Sequence, residues 1–149
     1  MIYGKWFPPG SAIPEARAVR QAVFVDELGL SSDWAQDDLD ALSHTAVLYD
    51  AEKRPAATGR IYYFEDAFWI GSIAVLPDQR GQGLGDLMVR MLLDKALQHC
   101  ARHVRLRTRK EAAGFFEPYG FAVFAEQGDT ADMTVAAEGI RMGCAGHKG

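Results

Sequence analysis

The sequence predicts an α+β (mixed α/β) fold: a mostly antiparallel, twisted sheet with one parallel crossover and helices on both faces. Three observations carry that expectation. Three short runs rich in β-branched and aromatic residues, Thr45 to Tyr49, Ala57 to Phe64 and Phe68 to Leu76, follow one another as in an antiparallel meander. A long stretch of helical periodicity comes directly after the third run. Val104 to Arg107 then has strand character again, and a strand, helix, strand order places a parallel pair inside the sheet. With 149 residues, 48% hydrophobic and 24% charged, and no repeat or linker-like shift, the chain is expected to form a single domain over residues 1–149.

Taken in order, Ile2 to Phe7 reads as a short strand ended by Pro8-Pro9-Gly10. Ser11 supplies a polar cap and Pro14-Glu15 an early proline and acid, so a helix is expected from about Ile13 to Glu27. Residues 28–43 are small and acidic (Gly29, Ser31-Ser32-Asp33, Asp37-Asp38, Asp40), a loop composition. The breaks of the meander hold Pro55 and Glu65-Asp66, and Pro77-Asp78 stops its third strand. From Leu84 on, Leu87, Met88, Met91 and Leu92 share one helical face, while Asp86, Arg90, Asp94, Gln98 and Arg102 share the other. Those alternating charges add only about 0.2–0.5 kcal/mol per pair, so packing of the apolar face must hold the helix. Glu111 to Tyr119 reads as a short helix, and Phe121 to Phe124 and Met133 to Ala137 as closing strands.

A net charge of −4 argues against nucleic acid, whose binders carry clustered excess Lys and Arg. The first residues form too short an apolar run for a signal peptide, and no run approaches the ~18 residues of a membrane helix, so a soluble, cytoplasmic protein is expected. Cys100 and Cys144 lie far apart and suit free thiols better than a disulfide framework, though their pairing stays open. His99 and His103 are spaced i,i+4 without a third ligand and are expected to be surface residues.

The chemistry-bearing segment is Gln79-Arg80-Gly81-Gln82-Gly83-Leu84-Gly85. Its glycines lie between the end of a strand and the start of a helix. Without Cβ they let backbone N–H groups approach an anion, and the helix adds free amides and the positive end of its dipole. Arg80 can add a charge. A P-loop would need Gly-Lys-Ser/Thr, yet Asp86 and Leu87 follow Gly85. The dinucleotide fingerprint fails as well, with Asp86 where its third glycine would stand.

What fits is Arg80-x-x-Gly83-x-Gly85 after the strand Ile73-Ala74-Val75, which resembles the acetyl-CoA motif of the GNAT acetyltransferase superfamily. The likeness resumes at Phe115-Phe116-Glu117-Pro118-Tyr119-Gly120-Phe121, similar to the family's Phe-Tyr-Glu-x-x-Gly-Phe helix end. A narrower likeness, to the ElaA-like branch, rests on Val23-Phe24-Val25-Asp26-Glu27, Asp38-x-Asp40 ahead of His44, Thr58-Gly59-Arg60 and Glu138-Gly139-Ile140.

The resemblance implies acetyl-CoA as co-substrate, with its pyrophosphate on Gln79 to Asp86, its pantetheine arm along Ile73, Ala74 and Val75, and Phe115 and Phe116 beside it. The acetyl group would lie near Gly71 and Ile73, open to an amine that attacks the thioester directly, and no metal is implied. Family members commonly place a tyrosine acid where Phe116 stands, and phenylalanine cannot donate a proton. Tyr119, one turn on, is a substitute acid by position, weighed against a packing role. Glu27 is a candidate base, with Glu65, Asp66, Asp38 and His44 as competitors, each of which has a plain structural reading as well. The acidic loop Asp33 to Asp40 would favour a cationic acceptor, and Trp34 in it could line an acceptor pocket or the core. The basic stretch Arg105, Arg107, Arg109-Lys110 is expected to face water or the 3′-phosphate of CoA. Two functions follow: an acetyl-CoA-dependent N-acetyltransferase acting on a small or peptide amine as a monomer or homodimer, or a catalytically weak acyl-CoA sensor, which Phe116 motivates.

Overall fold

The computed structural model describes residues 1–142, so Cys144 lies outside the described residues. Seven strands form one sheet in the order β1-β2-β3-β4-β5-β7-β6: β1 Tyr3–Phe7, β2 His44–Tyr49, β3 Pro55–Phe64, β4 Ala67–Val75, β5 His103–Arg109, β6 Ala122–Gln127 and β7 Thr130–Ala136. Every neighbouring pair is antiparallel except β4 with β5, the predicted crossover, whose connection contains helix α2, Leu84–Gln98.

Alternation along β2 divides the core. Ala46 and Leu48 point to the layer holding Met88, Leu92 and Leu93 of α2, whereas Val47 and Tyr49 meet Ile13 and Ala16 beside α1, Pro14–Arg20. The two helices therefore cover opposite faces. α2 comes so close to the sheet that a Cβ on Gly59 would lie 2.9 Å from atoms of both Met88 and Leu92.

Local expectations failed in instructive places. The first helix is α-helical only to Arg20 and continues as a π-helix over Gln21–Glu27, which turns Val23 and Phe24 onto Ala74 of β4. Ser11 is no cap: its Oγ donates to the Pro8 carbonyl at 2.7 Å, and Ile13 holds the N-cap position. Pro55 begins β3 instead of breaking the meander. Lys110–Phe115 and Glu117–Tyr119 are 3-10 turns, where Pro118 prevents one regular helix. α2 stops at Gln98, before Arg102.

Two irregularities coincide in β4. Gly71 faces Arg60 and Ala74 faces Thr58, so Ser72 and Ile73 together oppose Gly59 alone, a bulge with Ser72 at φ 50°. Pairing with β5 covers only Phe68–Ile70. Beyond Ile70 the two parallel strands separate, and a cleft opens between them.

Candidate active site

The cleft encloses about 560 Å³ and is lined by Ile70–Val75 of β4, Leu106–Arg109 of β5, the turn Arg80, Gly81, Gly83, Gly85 and Asp86, and Phe115 and Phe116. Gly81 and Gly83 adopt φ of 85° and 78°, a left-handed backbone that a Cβ disfavours. Gly83 is also the N-cap of α2 and brings no side-chain acceptor, so the first amides of the helix face the cleft without a cap. Gln79 is buried and donates to Asp50 at 2.9 Å, while Gln82 donates to the Gln79 carbonyl and Oε1 at 3.0 Å, so both glutamines brace the turn through their side chains. Ala74 adds backbone to the cleft wall, its methyl being buried against Val19 and Val23.

Charge at the turn is already organised. Arg80 forks onto Glu27 with bonds of 2.8 and 2.7 Å and donates through Nε to the Val75 carbonyl at 3.1 Å. Hydrogen bonding to Arg80 holds the Glu27 carboxyl below its ordinary range. Asp86 accepts from Arg90 Nε at 2.9 Å and from the Tyr119 hydroxyl. Burial, then the bond to Asp86, raises the Tyr119 phenol, whose residue is 6% exposed.

Adjoining the cleft, a second cavity of about 370 Å³ forms a mouth walled by Trp34, Tyr62, Phe64 and Trp69, with Asp33, Asp37, Arg60, Glu65 and Arg107 around it. Trp34, Ile70, Gly71, Ser72 and Arg107 line both cavities, which thus meet where β4 leaves β5. Beneath the mouth lies a buried ionic cluster. Asp40, 7% exposed, accepts from Arg20 Nη1 at 2.9 and 3.0 Å and from Arg60 Nη1 at 2.9 Å. Arg60 also forks onto Asp37 at 2.6 and 2.8 Å. Burial alone would raise Asp37, but the bonds and charge of Arg60 outweigh it and lower the carboxyl. Burial depresses Arg20, fully enclosed, against the pull of Asp40.

The family model for the acetyltransferase (GNAT) family matches residues 13–121. The chain belongs to that family, and N-acetyltransferase is its enzyme class. This acetyltransferase is 29% identical over 116 residues to the uncharacterised N-acetyltransferase YjcF of Bacillus subtilis strain 168, covering 77% of this chain and 81% of that one. Its fold is shared with Escherichia coli ElaA at a TM-score of 0.76, with 21% identity over 91% of this chain and 99% of that chain. A GNAT family acetyltransferase from Elizabethkingia anophelis, solved with acetyl-CoA bound, superimposes at a TM-score of 0.68, with 17% identity over 91% and 97% of the two chains.

Of the site residues expected in this acetyltransferase, Ile73, Ala74, Val75, Arg80, Gly81, Gly83, Leu84, Gly85, Asp86, Phe115 and Phe116 line the cleft, whereas Gln79 and Gln82 stand behind it. Glu27, the candidate base, ends the π-helix on the cleft wall, clamped by Arg80. Tyr119 is outside both linings and its hydroxyl is engaged by Asp86. Phe116, 7% exposed, sets its ring edge-on to Phe115 and Phe121. Among the alternative bases only Glu65 reaches the mouth; Asp38 is exposed outside it, Asp66 lies within 3.5 Å of the Tyr63 hydroxyl, and His44 packs near His99. Within the acidic loop Arg60 and Arg20 neutralise Asp37 and Asp40, while Asp33 stays exposed at the mouth.

Sequence reasoning missed Arg20 and Ser72. Arg20 carried a signal, since it shares the helical face of Ala16, Val19 and Val23, where a charge demands a buried partner. Ser72 carried none, because a serine inside a strand gives no sign of a positive φ.

Proposed function

We propose that this acetyltransferase moves the acetyl group of acetyl-CoA to an amine by direct attack in a ternary complex. The observation that carries the reading is the meeting of the two cavities at Gly71 and Ser72, which lets a thioester from one and an amine from the other meet at one point of β4. The pyrophosphate takes the uncapped amides from Gly81 to Asp86, and the pantetheine arm follows β4 from Val75 to Gly71, where β5 has left the strand edge open. The complex of the Elizabethkingia anophelis relative supports acetyl-CoA as the donor.

The amine first loses a proton to solvent through the open mouth. Its nitrogen lone pair then forms the C–N bond, the C–S bond breaks, sulfur leaves as the thiolate of CoA, and the second proton, acidic once nitrogen carries the acyl group, passes to solvent. No phenol stands where Phe116 packs, so the thiolate leaves unassisted; a thiol with pKa about 8.5 is a fair leaving group near neutral pH. Tyr119 holds Asp86 at the foot of α2, and Glu27 holds Arg80 at the turn; both are positioning residues. Monitoring thiol release from acetyl-CoA over polyamines, amino acids and peptides, together with acetyl-CoA affinity by calorimetry, tests the reading. Binding with release supports it. Binding without release on any amine makes the protein a sensor and overturns transfer, and absence of binding overturns both.

A further inference from the structure

We infer that the acceptor is a small aliphatic diamine or polyamine, with one ammonium group held at the mouth by Asp33 and Glu65 while the other amine reaches Gly71 and Ser72. The inference rests on the acetyl-transfer reading above and names the substrate of that same site.

The charges of the mouth sort into two groups. Those of one group are paired: Arg60 is forked by Asp37, Asp40 accepts from Arg20 and Arg60 with Arg17 at 3.5 Å, and Arg107 forks onto Asp132 at 2.7 and 2.9 Å. Asp33 and Glu65 are different. Both line the mouth and are exposed, and neither has an ion pair or hydrogen bond among the described residues. The mouth therefore presents two unneutralised carboxylates from separate elements, one from the loop before β2 and one from the β3–β4 hairpin.

The hairpin makes the second carboxylate informative. Phe64 pairs with Ala67, so Glu65 and Asp66 form a two-residue turn with φ of 49° and 65°. Such a turn takes Asn-Gly at lower cost. Two acids stand there instead, and Glu65 faces the mouth.

Between the carboxylates and Gly71 the walls are aromatic. Tyr62 carries the Arg60 guanidinium over its ring at 5.4 Å, and Trp34, Phe64 and Trp69 offer apolar surface to a methylene chain. A cavity of about 370 Å³ suits a small molecule rather than a folded partner. Because Asp33 and Glu65 are exposed and hydrated when empty, the second ammonium adds selectivity of only about tenfold.

The test compares 1,5-diaminopentane with 1-aminopentane as acceptors, following thiol release from acetyl-CoA at about 20 mM and about 0.5 M salt. The expected kcat/KM ratio is about ten in favour of the diamine at low salt, collapsing toward one at high salt and in the Asp33→Asn, Glu65→Gln double variant. Equal turnover of both amines at low salt overturns the diamine assignment and leaves acetyl transfer standing. A lysine-containing peptide turned over faster than the diamine overturns it likewise. Acetyl-CoA binding without release on the diamine overturns the diamine assignment, and only absence of release on every amine of the wider panel overturns acetyl transfer as well. The comparison on the unaltered protein decides the matter even where the double variant folds poorly.

Discussion

The cleft at the glycine turn and the aromatic mouth share Gly71 and Ser72, yet different physics builds them. The anion-facing end of the cleft is made of main chain: an uncapped helix end, two left-handed glycines and a strand edge released by a bulge. Phe115 and Phe116 wall the cleft, and Gln79, Gln82, Tyr119 and Glu27 act from behind that end or at its margin. The mouth is made of side chains from four separate segments held over a buried ionic cluster. A backbone site tolerates change in its surroundings as long as the dihedral angles survive. A side-chain site depends on partners far apart in sequence and fails when one is removed.

The sharpest way to break this contrast is Asp40→Ala. It strands Arg20 and Arg60 without their shared acceptor, and urea unfolding is expected to show a loss of about 3–5 kcal/mol. A loss below about 1 kcal/mol would mean that water replaces the carboxylate and that the mouth is no more dependent on its partners than the cleft. Next in size, Gly59→Ala drives a methyl into Met88 and Leu92 and is expected to cost about 1–3 kcal/mol by the same measurement, because α2 must lift or Met88 must turn.

Tyr119→Phe removes one hydrogen bond to Asp86 and is expected to cost about 1 kcal/mol while changing turnover little. A fall of two decades in kcat at unchanged acetyl-CoA affinity would make Tyr119 a catalytic acid and move the side-chain dependence into the cleft. The smallest effect concerns pH. Asp37 titrates lower in the folded protein than its ordinary value of 3.8, so its stabilising contribution is complete above that pH and is lost as pH falls below it. Thermal unfolding between pH 3 and 6 is expected to show a steeper acid loss for the unaltered protein than for Asp37→Asn, by under about 1 kcal/mol since the carboxyl is a third exposed. Equal slopes would show that Arg60 contributes nothing to the mouth through Asp37.

How far the site was legible follows the same division. The glycine turn could be found because its residues are contiguous and their backbone requirement is specific to glycine. Phe116 could be found too, since its position relative to Gly120-Phe121 is local. The meeting of Glu27 with Arg80 was not legible because a π-helix changes the angular spacing of every residue after Arg20, and nothing in Gln21 to Glu27 marks the change. Which carboxylates of the acidic loop stay unpaired was not legible either, because formal charge counts them without their partners, and those of Asp37 and Asp40 lie on α1 and β3.

By itself, then, the sequence determined the order of strands and helices, the parallel crossover and the glycine turn at the start of α2, since each depends on side-chain period or backbone freedom within a few residues. Only the tertiary structure decided that Glu27 meets Arg80, that Tyr119 meets Asp86 and that Arg20 and Arg60 share Asp40. These pairs bridge 20 or more residues of chain, and for Arg20, Arg60 and Asp40 the energy that selects them appears only once burial removes the water that would otherwise satisfy each group alone.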